Sequence, residues 1–277
     1  MEWLEDHKVP IGKVAKFLVD WLTSNMAWFF DGMSEVIGAM VGATLWLLQW
    51  PHPFVLIGLV AAMAWYLHRS LVLTGFTAFG LLLIINQGYW IETTETLSLV
   101  LAATTMSMMI GVPLGILSAD RPWLYRILQP LLDLMQTIPT FVYLIPALVL
   151  FGLGAVPALV ATIVFTVPAS IRLTYLGISS TPHTLIETAD AFGATKMAVL
   201  WKVKLPWAKP QILAGLTQTI MLSLSMVVIA ALVGASGLGV PTLRALNQVN
   251  IAKGFEVGIA IVIIAIILDR MLKLERN

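Results

Sequence analysis

Long apolar stretches separated by short polar turns cover most of the chain after residue 52. A helix of about 20 apolar residues crosses the hydrocarbon core of a bilayer. The pattern therefore predicts seven membrane-spanning helices, at 53–68, 70–87, 95–118, 134–152, 156–177, 210–234 and 255–271. Pro113 lies inside the third span, and Pro139 and Pro146 lie inside the fourth, so we expect these two helices to be broken.

Residues 1–52 carry a mixed pattern of apolar and acidic positions. Bulky side chains such as Trp21 and Trp28 are interspersed there with the carboxylates of Asp20, Asp31 and Glu35. This mixture is typical of amphipathic helices that lie at a membrane interface. We predict an outer interfacial segment at 1–52, with an eighth span at 36–50 as the alternative. The opening residues lack the basic start, apolar run and cleavage site of a signal peptide.

The composition excludes a soluble protein. Hydrophobic residues make up 59% of the sequence and charged residues 11%, and the mean hydropathy is +0.91. Soluble domains carry roughly a quarter of their residues as charged side chains. The chain is therefore predicted to be an all-α polytopic membrane protein. Its formal net charge of +1 argues against a nucleic acid as partner.

The positions of the basic residues predict the orientation. With the N-terminus outside, eleven of the sixteen lysines and arginines fall in inner loops or the inner tail. Cytoplasmic loops carry such an excess of basic residues. We predict that the N-terminus is outside and the C-terminus inside, with a transmembrane domain at 53–272 and a short inner tail at 273–277.

The sequence carries no motif for nucleotide, metal or covalent chemistry. It contains no Gly-x-x-x-x-Gly-Lys-Ser/Thr phosphate-binding loop and no cysteine, and its four histidines lack metal-ligand spacing. The glycine-rich run at 234–239 lacks the lysine of that loop and predicts a flexible turn. We therefore expect no enzyme active site and no cofactor or metal on this chain.

The longest inner segment, at 178–209, predicts two short amphipathic helices. Thr181 followed by Pro182 favours a helix start, with the threonine as N-cap. Gly193 favours the end of that helix, and Pro206 is expected to end the second one. Geometry alone fits an ordinary interfacial loop as well as a helix pair that docks into a groove on a soluble partner. The apolar face of the first helix is predicted to comprise Leu185, Ile186, Ala189 and Phe192.

The same segment carries a spaced motif. Glu187-Thr-Ala189 is followed by Gly193 after three residues, and by Val203-Lys-Leu205-Pro206 after nine more. This pattern resembles the EAA signature of ABC-importer permeases, with a threonine in place of the usual central alanine. The resemblance implies that 182–193 is a coupling helix seated in a groove of an ATPase subunit. The residues implied to couple to the ATPase are Glu187, Ala189, Asp190, Gly193, Leu205 and Pro206.

The resemblance extends over residues 90–272. Segments 133–139, 141–146, 218–230 and 264–270 resemble permeases for glycine betaine, proline betaine and choline, and residues 1–4 and 88–97 favour the choline branch. It implies a methionine-importer-like permease core in a bacterial inner membrane. The permease would form a homodimer with two ATPase subunits, which bind ATP and Mg²⁺, and an extracytoplasmic binding protein. A secondary carrier or channel is the alternative, although we find neither midplane charges nor inverted repeats.

Two groups of residues are candidates for contact with a substrate or a partner. Substrates of this class are held by aromatic faces and weak cation attraction, so a smooth and mildly polar pathway is expected. Helix packing is the competing explanation for each pathway residue, and interfacial anchoring is the competing one for the outer group. The pathway candidates are Met135, Gln136, Thr140, Tyr143, Gln218, Leu222 and Ser225. The candidates for docking the binding protein are Tyr89, Trp90, Glu92, Glu95 and Arg244.

Overall fold

The computed structural model describes residues 10–273, which form helices and connecting turns without any strand. The predicted all-α class is confirmed. The helices are α1 Ile11–Asn25, α2 Ala27–Gln49, α3 Pro53–His68, α4 Leu71–Asn86, α5 Trp90–Asp120, α6 Pro122–Thr137, α7 Thr140–Phe151, α8 Ala155–Ser179, α9 His183–Ala191, α10 Lys196–Ala231, α11 Gly239–Asn247 and α12 Ile251–Leu272.

Four of the described helices, α5, α8, α10 and α12, are long and apolar enough to cross a membrane on their own. The pairs α2–α3 and α6–α7 meet this criterion only when each pair is taken together, and each pair is bent by 95°. Helix α4 is apolar but shorter. The criterion therefore gives four to six spans, whereas the seven predicted spans correspond to α3, α4, α5, α7, α8, α10 and α12.

Consecutive spans run in alternating directions. We call the end of the bundle that carries residues 180–204 the loop end, and the other the far end. Helices α3, α5, α8 and α12 run towards the loop end, whereas α4, α7 and α10 run away from it. The contacts that establish this order are His68 with the Met271 carbonyl and Asp120 with Lys204 at the loop end, and Gly154 with Val233 and Tyr89 with Glu256 at the far end.

Small residues allow α5, α8 and α10 to pack closely. A Cβ atom at Gly115 of α5 would lie 2.6 Å from the Thr174 Cβ atom of α8, so only glycine allows this approach. The hydroxyls of Ser170 in α8 and Thr219 in α10 are 2.8 Å apart in the buried interface. Small side chains and hydroxyl pairs are the usual means of helix association in membranes. The three helices therefore form one packed body.

The structure corrects the expected effects of proline. Helices α5 and α7 continue through Pro113 and Pro146, so the breaks predicted there are wrong. Pro139 does interrupt the helix. A proline disfavours helical backbone at the residue before it, and Ile138 is accordingly extended, with a ψ of 130°. The predicted span at 134–152 comprises the last residues of α6, at 134–137, and the whole of α7, with a bend of 95° between the two helices.

Helix α6 has three faces. Leu132 is buried against α8, where it packs in a cluster with Val167 and Ile171. The Tyr125 ring also stacks on Tyr175 of α8, with 3.6 Å between centroids. The rest of α6 divides into one exposed apolar face and one exposed polar face. The apolar face carries Trp123, Ile127, Leu131 and Leu134, and the polar face carries Arg126, Gln129 and Asp133.

Helix α2 lies across the bundle rather than along it. At its C-terminal end, the Gln49 side chain donates to the Thr94 hydroxyl over 2.9 Å, one turn into α5 at the far end. Near its start, the Phe30 ring meets that of Phe151, the last residue of α7 and also at the far end. Both ends of α2 therefore contact the same end of the bundle.

Candidate functional site

Helix α9 stands at the loop end and contains no buried residue. It begins at His183, and Pro182 takes the N-cap position without a side-chain cap. The predicted N-cap role of Thr181 is wrong. Its hydroxyl instead donates to the Ile178 carbonyl over 2.8 Å, which satisfies an acceptor at the C-terminal end of α8.

Gly193 ends α9 as the sequence predicts. Its φ of +73° lies in the left-handed region that glycine adopts without penalty. The Gly193 amide donates to the Asp190 carbonyl and the Ala194 amide donates to the Ala189 carbonyl, at 2.9 and 3.0 Å. These two bonds form a Schellman motif, which satisfies the free carbonyls at the helix end. The glycine is thus required by the backbone, since a Cβ there would meet no other atom within 4 Å.

Large apolar side chains project from the same loop. Phe192 is 87% exposed, Trp201 is 65% exposed and Met197 is 63% exposed, and the Trp201 indole donates to the Met197 sulfur over 3.1 Å. Of the predicted apolar face, Leu185 and Phe192 are exposed, whereas Ile186 and Ala189 are half-buried. Exposed apolar patches of this kind occur where a protein contacts another protein or a membrane.

The implied coupling residues all lie at this end, most of them exposed. Glu187, Asp190, Gly193 and Pro206 are exposed, while Leu205 and Ala189 are half-buried. Pro206 does not end the second helix, so that prediction is wrong. Proline has no amide proton and cannot donate the usual helical hydrogen bond. The helix nevertheless continues past Pro206, because it widens just before it into a π-helical turn at Leu200–Lys204. The closing hydrogen bond of this turn runs from the Leu205 amide to the Leu200 carbonyl.

A groove of about 1030 Å³ opens between α10 and α12 in the half of the bundle nearest the loop end. Gln218 and Met221 line it, and charged groups stand where it meets the loop end. None of the residues at 10–273 that line it is aromatic. The lining residues are Pro206, Lys209, Pro210, Leu213, Ala214, Thr217, Gln218, Met221, Asp269, Leu272 and Lys273.

The other pathway candidates are spread over different surfaces. On α10, Leu222 is half-buried, and Ser225 is exposed with its hydroxyl donating to the Met221 carbonyl. On α6, Gln136 accepts a hydrogen bond of 2.9 Å from Arg172 of α8, which also pairs with Asp133. These contacts hold Gln136 against α8, away from the groove between α10 and α12. Met135 packs against the cluster around Leu132, Thr140 is half-buried at the start of α7, and the Tyr143 hydroxyl is buried without a hydrogen-bond partner.

The candidates for docking a binding protein divide into two groups at the far end. The Tyr89 hydroxyl donates to Glu256 over 3.3 Å, and burial followed by the charge of Glu256 raises the pKa of the Tyr89 phenol above its usual value. Trp90 and Glu92 are half-buried. Arg244 is exposed and lines a separate groove of about 280 Å³ beside α11.

Residues 232–238 form a strap at the far end rather than the predicted flexible turn. The Leu238 amide donates to the Thr96 hydroxyl over 2.8 Å, and the Gly154 amide donates to the Val233 carbonyl over 2.9 Å. Glu95 of α5 is half-buried and lies near Ser236 and Gly237 of the strap. Its role in docking a binding protein stays a prediction.

The part of the chain that the structure describes contains no cluster of three or more metal-ligating His, Asp or Glu side chains.

Residues 111–274 match the model of a family described as "Binding-protein-dependent transport system inner membrane component". The chain belongs to this family. The predicted resemblance to ABC-importer permeases is therefore confirmed.

Relatives of this transport component are named for osmolyte uptake. It is 45% identical to the glycine betaine transport system permease protein OpuAB of Bacillus subtilis, over 95% of this chain and 93% of that protein. It is 44% identical to the glycine betaine/carnitine transport permease protein GbuB of Listeria monocytogenes, over 95% and 94%. A relative with choline in its name, OpuCD of Bacillus subtilis, matches 51% of this chain at 36% identity. The expected preference for the choline branch finds no support here.

The fold of this transport component matches a solved ABC importer. Inward-facing structures of the MetNI methionine ABC transporter superpose on it with a TM-score of 0.59 and 27% identity, covering 66% of this chain and 94% of that one. The predicted methionine-importer-like core is confirmed. The alternative of a secondary carrier or channel is not supported by these relatives.

Proposed function

We propose that this chain is the permease subunit of an ATP-driven importer for glycine betaine or a closely related quaternary ammonium compound. The observation that carries the proposal is the exposed α9 loop, in a chain 45% identical over 95% of its length to a permease named for glycine betaine. Two copies of the permease would pair, two ATPase subunits that bind ATP and Mg²⁺ would dock on the α9 loops, and a binding protein would deliver substrate at the far end.

The loop would act as a lever because it joins two helices that move together. Helix α9 lies between the C-terminal end of α8 and the start of α10. Next to the loop, the end of α8 packs closely on the start of α10. A Cβ atom at Gly177 of α8 would lie 3.0 Å from the Ala208 Cβ atom and 2.9 Å from the Gln211 Cβ atom of α10. Such close packing resists sliding, so a displacement of α9 passes to both spans.

The exposed apolar patch supports the site of ATPase docking. Phe192, Met197 and Trp201 would fill a groove on the ATPase, and Glu187 and Asp190 would form its polar contacts. Large side chains that become fully desolvated supply most of the binding free energy at protein interfaces. Gly193 would keep this surface in one shape by closing the end of α9.

The groove between α10 and α12 suits a substrate that must not be held tightly. A trimethylammonium group has no N–H donor and binds best to aromatic faces. The groove offers Gln218, Thr217 and Met221 but no aromatic face, so it would let such a group pass without a deep energy minimum. Gln218 and Ser225 would line the permeation surface, whereas Gln136 would position α6 through Arg172.

The arrangement of α1 and α2 supports an interfacial brace rather than an eighth span. Helix α2 makes an angle of 95° with α3 and contacts the far end of the bundle at both of its own ends. Its exposed Trp28, Trp46 and Trp50 suit the headgroup region of a bilayer. By the positive-inside rule, this brace would lie on the outer side and the C-terminus would be inside.

Co-purification tests the importer class first. A C-terminally tagged chain is extracted gently from native membranes, and the proteins retained in stoichiometric amounts are identified. Recovery of an ATPase subunit is the expected result. A chain that purifies alone and transports glycine betaine with an ion gradient as the driving force would disprove the proposal.

Transport in proteoliposomes then tests the substrate class. The isolated complex and its binding protein are supplied with ATP, and uptake of glycine betaine, carnitine and choline is compared. We expect glycine betaine to be taken up in an ATP-dependent manner that an ionophore does not abolish. Uptake of choline alone would move the chain to the other branch while leaving the importer class intact.

A further inference from the structure

The coupling loop is attached to the bundle at few points. Between residues 180 and 200 only Thr181 and Val199 are buried, and α9 contributes none. The second limb of the loop runs into α10 through the π-helical turn at Leu200–Lys204. A π-helical turn is a rare and weakly favoured conformation that occurs most often at functional positions. Contacts made by this turn therefore have a large influence on the position of the loop.

One ion pair fastens the last residue of this turn to a helix outside the lever. The Lys204 ammonium lies 2.8 Å from an Asp120 carboxylate oxygen, and the two side chains are 22% and 43% exposed. Asp120 is the last residue of α5, 84 positions earlier in the chain. The EAA resemblance assigns no role to Lys204, because it occupies the variable position between Val203 and Leu205.

The position of Asp120 is not explained by the stability of its own helix. The C-terminal end of a helix carries a partial negative charge, so a carboxylate there is unfavourable. Thr or Asn would end α5 without this electrostatic cost. The carboxylate is favourable only when a cation neutralises it, and Lys204 of the coupling limb is that cation.

We infer that Asp120 and Lys204 are a positioning pair that ties the π-helical turn of the coupling loop to the packed body of α5, α8 and α10. The inference rests on the proposed function of that loop. When the ATPase displaces the loop, the pair passes the displacement from the turn directly to the inner end of α5, which also packs closely on α8. Without the pair, the π-helical turn absorbs part of the displacement, and more ATP is hydrolysed for each substrate moved.

Charge variants of the complex test this inference. Asp120→Asn and Lys204→Gln are compared with the reversed pair Asp120→Lys with Lys204→Asp, and with Lys202→Gln as a matched control on the same turn. Lys202 forms no ion pair within residues 10–273. The measured quantity is substrate transported per ATP hydrolysed. Partly exposed ion pairs are worth up to about 1 kcal/mol, so we expect a reduction of about two- to fivefold in each single variant.

Recovery in the reversed pair separates positioning from a general loss of structure. We expect the double variant to regain most of the wild-type ratio, and Lys202→Gln to leave it unchanged. Single variants that match the Lys202 control would overturn the inference, as would a reversed pair that is no better than either single variant. Absence of an ATPase from the wild-type complex would instead refute the proposed function.

A covalent link gives a second test that does not depend on charge. The chain contains no cysteine, so Asp120→Cys with Lys204→Cys introduces the only two thiols, which a reducible bis-thiol reagent joins through a spacer as long as the two side chains that it replaces. If the two positions move together, the cross-linked complex keeps its ATP-driven uptake. Uptake that stops on cross-linking and returns on reduction would show that the pair must separate during the cycle, and the inference would be wrong.

Discussion

The left-handed backbone of Gly193 allows its function to be tested by a series of substitutions that separates backbone strain from side-chain size. Its φ is +73°, and a Cβ atom there would have no neighbour within 4 Å. A substitution therefore acts through backbone strain alone within this chain. The left-handed conformation costs an L-residue about 1–2 kcal/mol, and less for asparagine.

The expected order of activity is Gly193, then Gly193→Asn, then Gly193→Ala, then Gly193→Val. A strain of about 1–2 kcal/mol lowers the ratio of closed to frayed helix ends by about 5- to 30-fold. Alanine should therefore reduce uptake several-fold, and valine, being β-branched, should reduce it further. ATP-driven uptake by the reconstituted complex is the measurement, with the amount of retained ATPase recorded for each variant.

The asparagine variant decides between two explanations. If size against the ATPase groove limits this position, asparagine should be worse than alanine because its side chain is larger. If backbone strain limits it, asparagine should be better. Gly254→Ala is the matched control, because Gly254 also has no neighbour within 4 Å but lies in helical backbone of α12. Lower uptake by the Gly193→Asn variant than by the Gly193→Ala variant would refute the explanation by backbone strain.

Three local features of the bundle can be tested by the thermal stability of variants in detergent. Gly115→Ala should destabilise the protein by about 1–3 kcal/mol, because its Cβ would lie 2.8 Å from a backbone carbonyl of α8, while Gly258→Ala, with open space around it, should not. Val249→Gly should stabilise it by about 1 kcal/mol, since Val249 ends α11 with a φ of +50°. Thr96→Val should cost about 1–3 kcal/mol by leaving the strap amide without an acceptor. Equal melting of the two glycine variants, a less stable Val249 variant or an unchanged Thr96 variant would each contradict the corresponding contact.

Hydropathy located the apolar helices α3, α4, α5, α8, α10 and α12, because each is a continuous apolar run. The spacing of Glu187 and Gly193 located the loop, because both lie close together in sequence. Proline was misjudged at Pro113 and Pro146, since one missing amide does not end a helix packed among others. The sequence signal for α6 was the period of Trp123, Ile127, Leu131 and Leu134, which a search for long apolar runs overlooks.

Contacts between distant segments were beyond the reach of sequence patterns. Asp120 and Lys204 are 84 residues apart, and neither lies in an unusual local pattern. The sequence identified polar residues on the helices of the candidate pathway. Which of them face the groove depends on packing, which placed Gln218 in it and gave Gln136 to Arg172.

The sixteen residues of α6 divide into a face buried against α8, an exposed apolar face and an exposed polar face. Each face tolerates a different class of substitution. The polar face accepts any polar side chain except at Asp133, which pairs with Arg172. The exposed apolar face accepts any hydrophobic side chain, and the position of Leu132 accepts almost nothing larger or smaller. A saturation mutagenesis profile of 122–137 should therefore show three interleaved tolerance classes with a period of about 3.6 residues. The order of these classes around the helix would give the rotation of α6 about its own axis, which its contacts with α8 through Leu132 and Tyr125 predict.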